Sequence, residues 1–261
     1  MKISEKAIQK LLKALSKRSG GKTSCSVVIA AAGSSERMSG EDKLFVEICG
    51  IPVLGHTLMA FQSCGSVSEI IIVTREDRLE QAGLLCRNHN ISKAKSIMVG
   101  GRSRLESVLR GVLAVSEDSQ LIAIHDGARP CVEEAVILKA IEAAAVRHAV
   151  APAVKVSSTV KKVKDGIVSE TVDREDLVEI QTPQVFAAEI IKAALTNALS
   201  KSLEVTDDCM AAEIIGVPVY IIEGSRSNIK ITTKEDIAIV EAILGKRQEG
   251  ASAQGAENKE I

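Results

Sequence analysis

The sequence predicts an α/β protein: a Rossmann-like, mainly parallel sheet with helices on both faces and a projecting β-hairpin arm. Three observations predict it. Strand-like and helix-like stretches alternate from residue 25 to residue 245, the pattern of a parallel sheet built from successive βαβ units. Three of the strand-like runs end at Ala31-Ala32-Gly33, Gly100-Gly101 and His125-Asp126-Gly127, and open α/β sheets gather their ligands at the carboxyl ends of strands. Residues 155–174 break the rhythm and read as two strands around Asp165-Gly166, a dipeptide suited to a tight hairpin turn.

The elements follow in order. Residues 1–22 form an amphipathic helical extension, because Ile8, Leu11, Leu12 and Leu15 recur at helical spacing among lysines, without the continuous apolar stretch of a signal peptide. Gly20-Gly21 then breaks the chain direction. Val27, Val28 and Ile29 are β-branched and suit a central strand over 25–31. Further strands are expected at 69–74, 95–99, 120–125, 149–154 and 218–223, and helices near 54–63, 77–89, 103–115, 132–147, 187–200, 207–215 and 233–245. Ser103 is placed to cap the third of these helices. The arm spans 155–174; with few large apolar residues it is marginal alone, and a second subunit is a natural support. From 246 to 261 the composition reads as a flexible tail.

Composition narrows the function classes. A length of 261 residues accommodates one large domain from 23 to 245 with short appendages. A net charge of -1 disfavours nucleic-acid and membrane-surface binding, which rely on a large basic excess. Tryptophan is absent and Tyr and Phe are few, so a base would be recognised through backbone contacts rather than an aromatic platform. The six cysteines are scattered without a Cys-x-x-Cys pair or a nearby His at zinc spacing, so they read as reduced thiols and no protein metal cage is expected. No run approaches the roughly 20 apolar residues of a membrane span, and the expected location is the cytoplasm.

The chemistry-bearing segments start at Ser26–Met38 and Lys43. Ala31, Ala32 and Gly33 remove side-chain bulk where the strand ends, so a ligand can approach the backbone N–H groups, while Arg37 offers a planar fork and Lys43 a point charge. That arrangement suits phosphates, although neither a Walker loop nor a dinucleotide fingerprint is present. Gly100-Gly101 precedes Ser103 and Ser107 at a strand-to-helix junction. Asp126 ends a buried strand with Arg129 three residues later, either as a simple ion pair or as charges facing a ligand crevice. Later segments are Thr171–Arg174, Gln181–Gln184, Val205–Asp208 and Asn228–Thr232, each weak when taken singly.

Taken together, in this order and spacing, residues of about 24–245 resemble the 2-C-methyl-D-erythritol 4-phosphate cytidylyltransferase family of nucleotidyltransferases. The family loop Ala-Ala-Gly-x-x-x-Arg-Met is met by Ala31 to Met38, its lysine by Lys43, Gly-Gly-x-x-Arg-x-x-Ser-Val by Gly100 to Val108, and His-Asp-x-Ala-Arg-Pro by His125 to Pro130. The departures are Leu44-Phe45 after Lys43, Arg102 after the second glycine, and a longer Val154–Thr159 segment.

The resemblance implies transfer of CMP from CTP to 2-C-methyl-D-erythritol 4-phosphate, with release of pyrophosphate. It assigns the nucleotide to Ala31, Ala32, Gly33, Gly101, Ser107 and Asp126, and the acceptor to Asp126, Arg129, Thr159, Arg174, Thr182 and Lys230. Arg37 and Lys43 would stabilise the transition state, and Arg174 and Lys230 would hold the acceptor for attack. It further implies Mg²⁺ arriving with CTP and a homodimer formed through the arm. Two alternatives are a cytidylyltransferase acting on another polyol phosphate such as ribitol 5-phosphate, and a catalytically silent nucleotide-binding homologue.

Overall fold

The computed structural model describes residues 24–33 and 42–257, with 251–257 as helix backbone alone. The expected N-terminal helix at 1–22 lies outside the described residues, as do Arg37 and Met38 of the first loop and residues 258–261.

The sheet grows outward from β1 (Cys25–Ala31), which pairs in parallel with β4 (Val67–Thr74) on one edge and β6 (Leu121–Asp126) on the other. Beyond β4 lies β5 (Ala94–Val99), also parallel. Val27, Val28 and Ile29 are all fully buried, and because successive side chains of a strand point to opposite faces, they feed two separate cores. Val27 and Ile29 pack with α1 (Val53–Ser63), α4 (Glu134–Arg147) and the start of α7 (Lys234–Glu257). Val28 packs with α3 (Arg104–Leu113), α5 (Ala188–Ser200) and α6 (Asp208–Ile214). Helix α2 (Leu79–Asn88) adds Leu85 to the first core. A strand that is apolar on both sides is what a doubly covered parallel sheet requires.

The far half of the sheet is mixed. Strand β7 (Ala149–Lys155) is joined to β6 through an antiparallel strand, β11 (Gln184–Ala187), while β10 (Val178–Ile180) pairs with the second half of β7 and β12 (Tyr220–Glu223) runs parallel to it. β10 and β11 are absent from the sequence-based reading. Each is too short for an alternation pattern to register, and the cis Thr182–Pro183 bond lies between them. A small hairpin of β2 (Glu47–Ile48) and β3 (Ile51–Pro52) was likewise not foreseen.

The arm forms where expected. β8 (Val160–Lys164) and β9 (Ile167–Val172) pair antiparallel in a sheet of their own. Asp165 and Gly166 both have positive φ, 52° and 79°, as the right-handed twist of a two-residue hairpin demands. The expected flexible tail is corrected from 246 to 257, where α7 continues through Gly245 and Gly250. An interior glycine costs a helix only about 1 kcal/mol, and Arg247 ties this part of α7 to the body by donating to the Cys131 carbonyl at 3.1 Å and the Glu133 carboxylate at 2.9 Å.

One glycine sets the distance between α3 and the sheet. A Cβ on Gly111 would lie 2.5 Å from a Val28 methyl and 2.7 Å from one of Val73, both β-branched side chains with little rotamer freedom. Alanine improves helix propensity by about 1 kcal/mol, but overpacking costs about 1–3 kcal/mol. Gly111→Ala is therefore expected to lower stability by up to about 2 kcal/mol, the clash outweighing the propensity gain. Urea unfolding checks it, and a raised midpoint would show that the helix can ride higher on the sheet.

Candidate active site

The parallel register decides which loops meet. Ala30 pairs with Asp126, and Ala31 with Thr74, so the ends of β1, β4 and β6 lie level. The Gly100 N–H, just past β5, donates to the Thr74 carbonyl at 2.8 Å, which brings the Gly-Gly loop to the same rim. No side chain fits at Gly100: a Cβ there would stand 2.6 Å from that of Ala32 and 2.8 Å from the Ser107 hydroxyl. Ser107 is buried and accepts from the Gly101 N–H at 2.9 Å while donating to the Ser103 carbonyl at 2.8 Å. Its placement holds the loop's shape. Ser103 caps α3 by accepting from the Glu106 N–H, and the Glu106 carboxylate accepts in return from the Arg102 N–H, a reciprocal cap of the helix start. Ala31, Ala32, Gly101 and Ser107 thus converge as the sequence reading expects, with Gly33 following at the end of this described stretch.

Asp126 is the centre of charge. It is 7% exposed, and its Oδ2 meets the Lys230 ammonium at 2.9 Å and Arg129 Nε at 3.5 Å, while Oδ1 faces Arg104 Nη2 at 3.7 Å. Burial pushes a carboxyl pKa upward, but Lys230, Arg104 and Arg129 together outweigh it and hold this one well below the usual carboxylate range. Asp126 stays ionised at any working pH.

His125, its neighbour, is a strut. Its Nδ1 lies 2.9 Å from the Thr182 hydroxyl and its Nε2 lies 3.2 Å from the Arg129 carbonyl. A carbonyl only accepts, so Nε2 carries the proton. The Thr182 hydroxyl accepts from the Asp126 N–H at 3.2 Å and donates to Nδ1. Burial pushes the imidazole down to about 4 and keeps it neutral. Thr182 therefore anchors the His125-Asp126 step from beneath.

The segment 228–231 closes the site. Buried Asn228 donates to the Thr182 carbonyl at 2.8 Å, its own carbonyl accepts from Arg129 Nη1 at 2.7 Å, and the Ile231 N–H donates to the Ala128 carbonyl at 2.9 Å. The Lys43 ammonium donates to the Ile231 carbonyl at 2.8 Å, which places the first loop's cation one residue from Lys230. Lys43 rides on a turn pinned by Asp42, whose Oδ2 receives Arg75 at 3.0 Å and Arg78 at 3.1 Å. Beside Lys230 opens a cleft of about 280 Å³ whose walls include Arg129, Gln181, Arg226 and Asn228.

Two expected acceptor residues are not brought here within one chain. Thr159 and Arg174 are exposed on the arm, and Arg174 donates to the Ser157 carbonyl beside it. The structure also adds residues that sequence reasoning passed over. Arg104 forks onto Asp208, with Nη1 and Nη2 at 3.0 and 2.7 Å from its two oxygens, and Gln184 accepts from the Asp208 and Cys209 N–H groups at 3.1 and 3.0 Å. All three lay inside segments singled out from sequence, but their partners are distant in the chain.

The sequence profile of the 2-C-methyl-D-erythritol 4-phosphate cytidylyltransferase family matches residues 25–246. The enzyme of that name from Halalkalibacterium halodurans is 44% identical over 224 residues, covering 85% of this chain and 98% of the relative. One from Dehalococcoides mccartyi is 41% identical over 220 residues, covering 84% and 95%. Among solved structures, 4-diphosphocytidyl-2C-methyl-D-erythritol synthase from Anaerococcus prevotii superposes with a TM-score of 0.77 at 32% identity, covering 89% of this chain and 99% of that one. The Thermus thermophilus cytidylyltransferase gives 0.70 at 29% identity, covering 84% and 97%. With the rim loops, the profile and near end-to-end relatives in agreement, the chain belongs to the 2-C-methyl-D-erythritol 4-phosphate cytidylyltransferase family of nucleotidyltransferases.

Proposed function

We propose that this protein joins CTP and 2-C-methyl-D-erythritol 4-phosphate, giving 4-diphosphocytidyl-2-C-methyl-D-erythritol and pyrophosphate. The observation that carries the reading is the cation set around Asp126: Lys230 and Arg129 stand over a cleft one loop away from the Gly100-Gly101 cradle, with Lys43 on the neighbouring carbonyl. An acceptor phosphate oxygen attacks the α-phosphorus of CTP, a new P–O–P bond forms, and the bond to the β-phosphate oxygen breaks. The nucleophile is already anionic, so the protein needs no strong base. It has to bring two anions together and stabilise charge as it develops. Neutral His125 is engaged at both ring nitrogens and takes no proton in this scheme.

Magnesium fits as a companion of the nucleotide. Among the described residues no group of three or more His, Cys, Asp and Glu side chains is placed to hold a metal, and both oxygens of Asp126 already face cations. A carboxylate so placed suits a contact with metal-bound water, with phosphates supplying direct ligands. When bound, the ion would neutralise triphosphate charge and ease pyrophosphate departure. Among the described residues no helix is long and apolar enough to cross a membrane.

The arm supports a homodimer with shared sites. Val163, Ile167 and Val168 are 60%, 73% and 55% exposed along it, and unsupported hairpins of this size are marginal in water. Thr159 and Arg174 ride on that arm, while Lys230 and Arg129 wait in the body. A neighbouring subunit's arm would complete the acceptor site.

Three outcomes are expected. Pyrophosphate release, assayed with each of the four nucleoside triphosphates against methylerythritol phosphate and ribitol 5-phosphate, should be strongest for CTP with methylerythritol phosphate; preference for ribitol phosphate would move the substrate assignment. Lys43→Ala should lower kcat by about 10²–10³-fold while CTP affinity changes little, because its cation acts on charge that appears in the transition state. Equal losses in both would make it a binding residue. Heterodimers of Lys43→Ala and Arg174→Ala chains should regain activity through one intact composite site, whereas inactive mixtures with confirmed heterodimers would place every site within one chain.

A further inference from the structure

The two oxygens of Asp126 face different parts of the molecule. Oδ2 receives Lys230 and Arg129, the cations of the acceptor cleft. Oδ1 faces Arg104, the first residue of α3, which follows directly on the Gly100-Gly101 loop. Arg104 is held from behind. Both of its terminal nitrogens fork onto Asp208, which is 1% exposed at the start of α6. Asp208 is itself fixed by Gln184, whose strand β11 pairs with β6, the strand that ends in Asp126. The guanidinium therefore reaches the Asp126 carboxylate at a set distance, without being free to swing.

Lys230 has a side chain 40% exposed, against 11% for Asp126. An incoming phosphate meets the ammonium from the solvent side and competes with the carboxylate for it. A carboxylate with no other cation would hold Lys230 as its counter-ion and oppose that transfer. We propose that Arg104 is a positioning residue for the acceptor phosphate: braced by Asp208, it carries part of the Asp126 charge, so that the Lys230 ammonium can turn from the carboxylate to the phosphate. Arg129 assists on the same oxygen as Lys230. The remaining groups near Asp126 do not replace Arg104. His125 is neutral, Thr182 offers a hydroxyl to the Asp126 N–H, and Asp207 and Asp208 add negative charge behind Arg104.

This inference rests on the acceptor reading of the cleft, and the test separates the two. Removing Arg104 alone would leave Asp208 as a buried, unpaired carboxylate, so the variant is the neutral pair Arg104→Gln with Asp208→Asn, its fold checked by circular dichroism and melting temperature. The KM for methylerythritol phosphate should rise about tenfold, within the usual range for coupling between charged sites, while kcat and the CTP dissociation constant stay close to wild type. Inorganic phosphate, titrated calorimetrically, should lose affinity in parallel, which reads the same contact without turnover. Absent turnover by the wild-type protein would sink the acceptor reading, and the phosphate titration would still judge Arg104. Unchanged phosphate affinity in the double variant, or losses spread equally over CTP, phosphate and kcat, would overturn the proposal. Should the double variant not fold, Asp208→Asn alone decides it. Arg104 then keeps its charge but loses the carboxylate that holds it against Asp126, so phosphate affinity should fall, and unchanged or improved affinity would overturn the role.

Discussion

β1 is hydrogen-bonded along both edges and buried on both faces, and the site's layout depends on that constraint. A strand in this position cannot slip by one residue without sending Val28 into the core of Val27 and Ile29. With its register set against β4 and β6, the ends of three strands fall level, and the loops that leave them have a single rim to share. The small residues at Ala31-Ala32-Gly33 and Gly100-Gly101 are then needed for a physical reason. The two loops touch, and at Gly100 the chain passes closer to Ala32 and Ser107 than any side chain allows.

Onto this apolar frame the rim places a carboxylate with poor access to water and several cations around it, of which Lys230 stays open to solvent. Asp126 would be costly to bury alone. Lys230, Arg129 and Arg104 compensate it, and each comes from a different part of the fold. In the proposed reaction the same contacts would hold the cations for two phosphate-bearing substrates. Charge compensation and anion binding would draw on the same side chains, so Lys230, Arg129 and Arg104 already stand beside Asp126.

The segment 228–231 joins these roles in one stretch of backbone. It accepts from Arg129 and Lys43 through its carbonyls, donates to Thr182 through Asn228, and carries Lys230. The Glu133 carboxylate accepts from Ser225 at 2.9 Å, Ser227 at 2.7 Å and Arg247 at 2.9 Å, and so fastens the preceding loop to α4 and α7. The C-terminal helix thereby helps fix the loop that leads into the Lys230 segment.

The local pattern of the chain determined the parallel strands β1, β4, β5, β6, β7 and β12, the helices between them and the Asp165-Gly166 hairpin, since each depends on periodicity and turn chemistry within a few residues. It also marked Ala31 to Gly33, Gly101, Asp126 and Arg129, because small residues and charges at strand ends have a local signature, while Lys230 was reached only through the family resemblance. Tertiary structure decided what no local pattern encodes. β10 and β11 exist because β7 and β6 offer them edges to pair with, and α7 extends past Gly250 with Arg247 anchored on Cys131 and Glu133. Arg104 meets Asp208 across a separation of 104 residues. Hydrogen bonds and ion pairs between distant residues leave no trace in hydrophobic spacing, so a sequence can name the charges of a site while the fold alone decides which charge faces which.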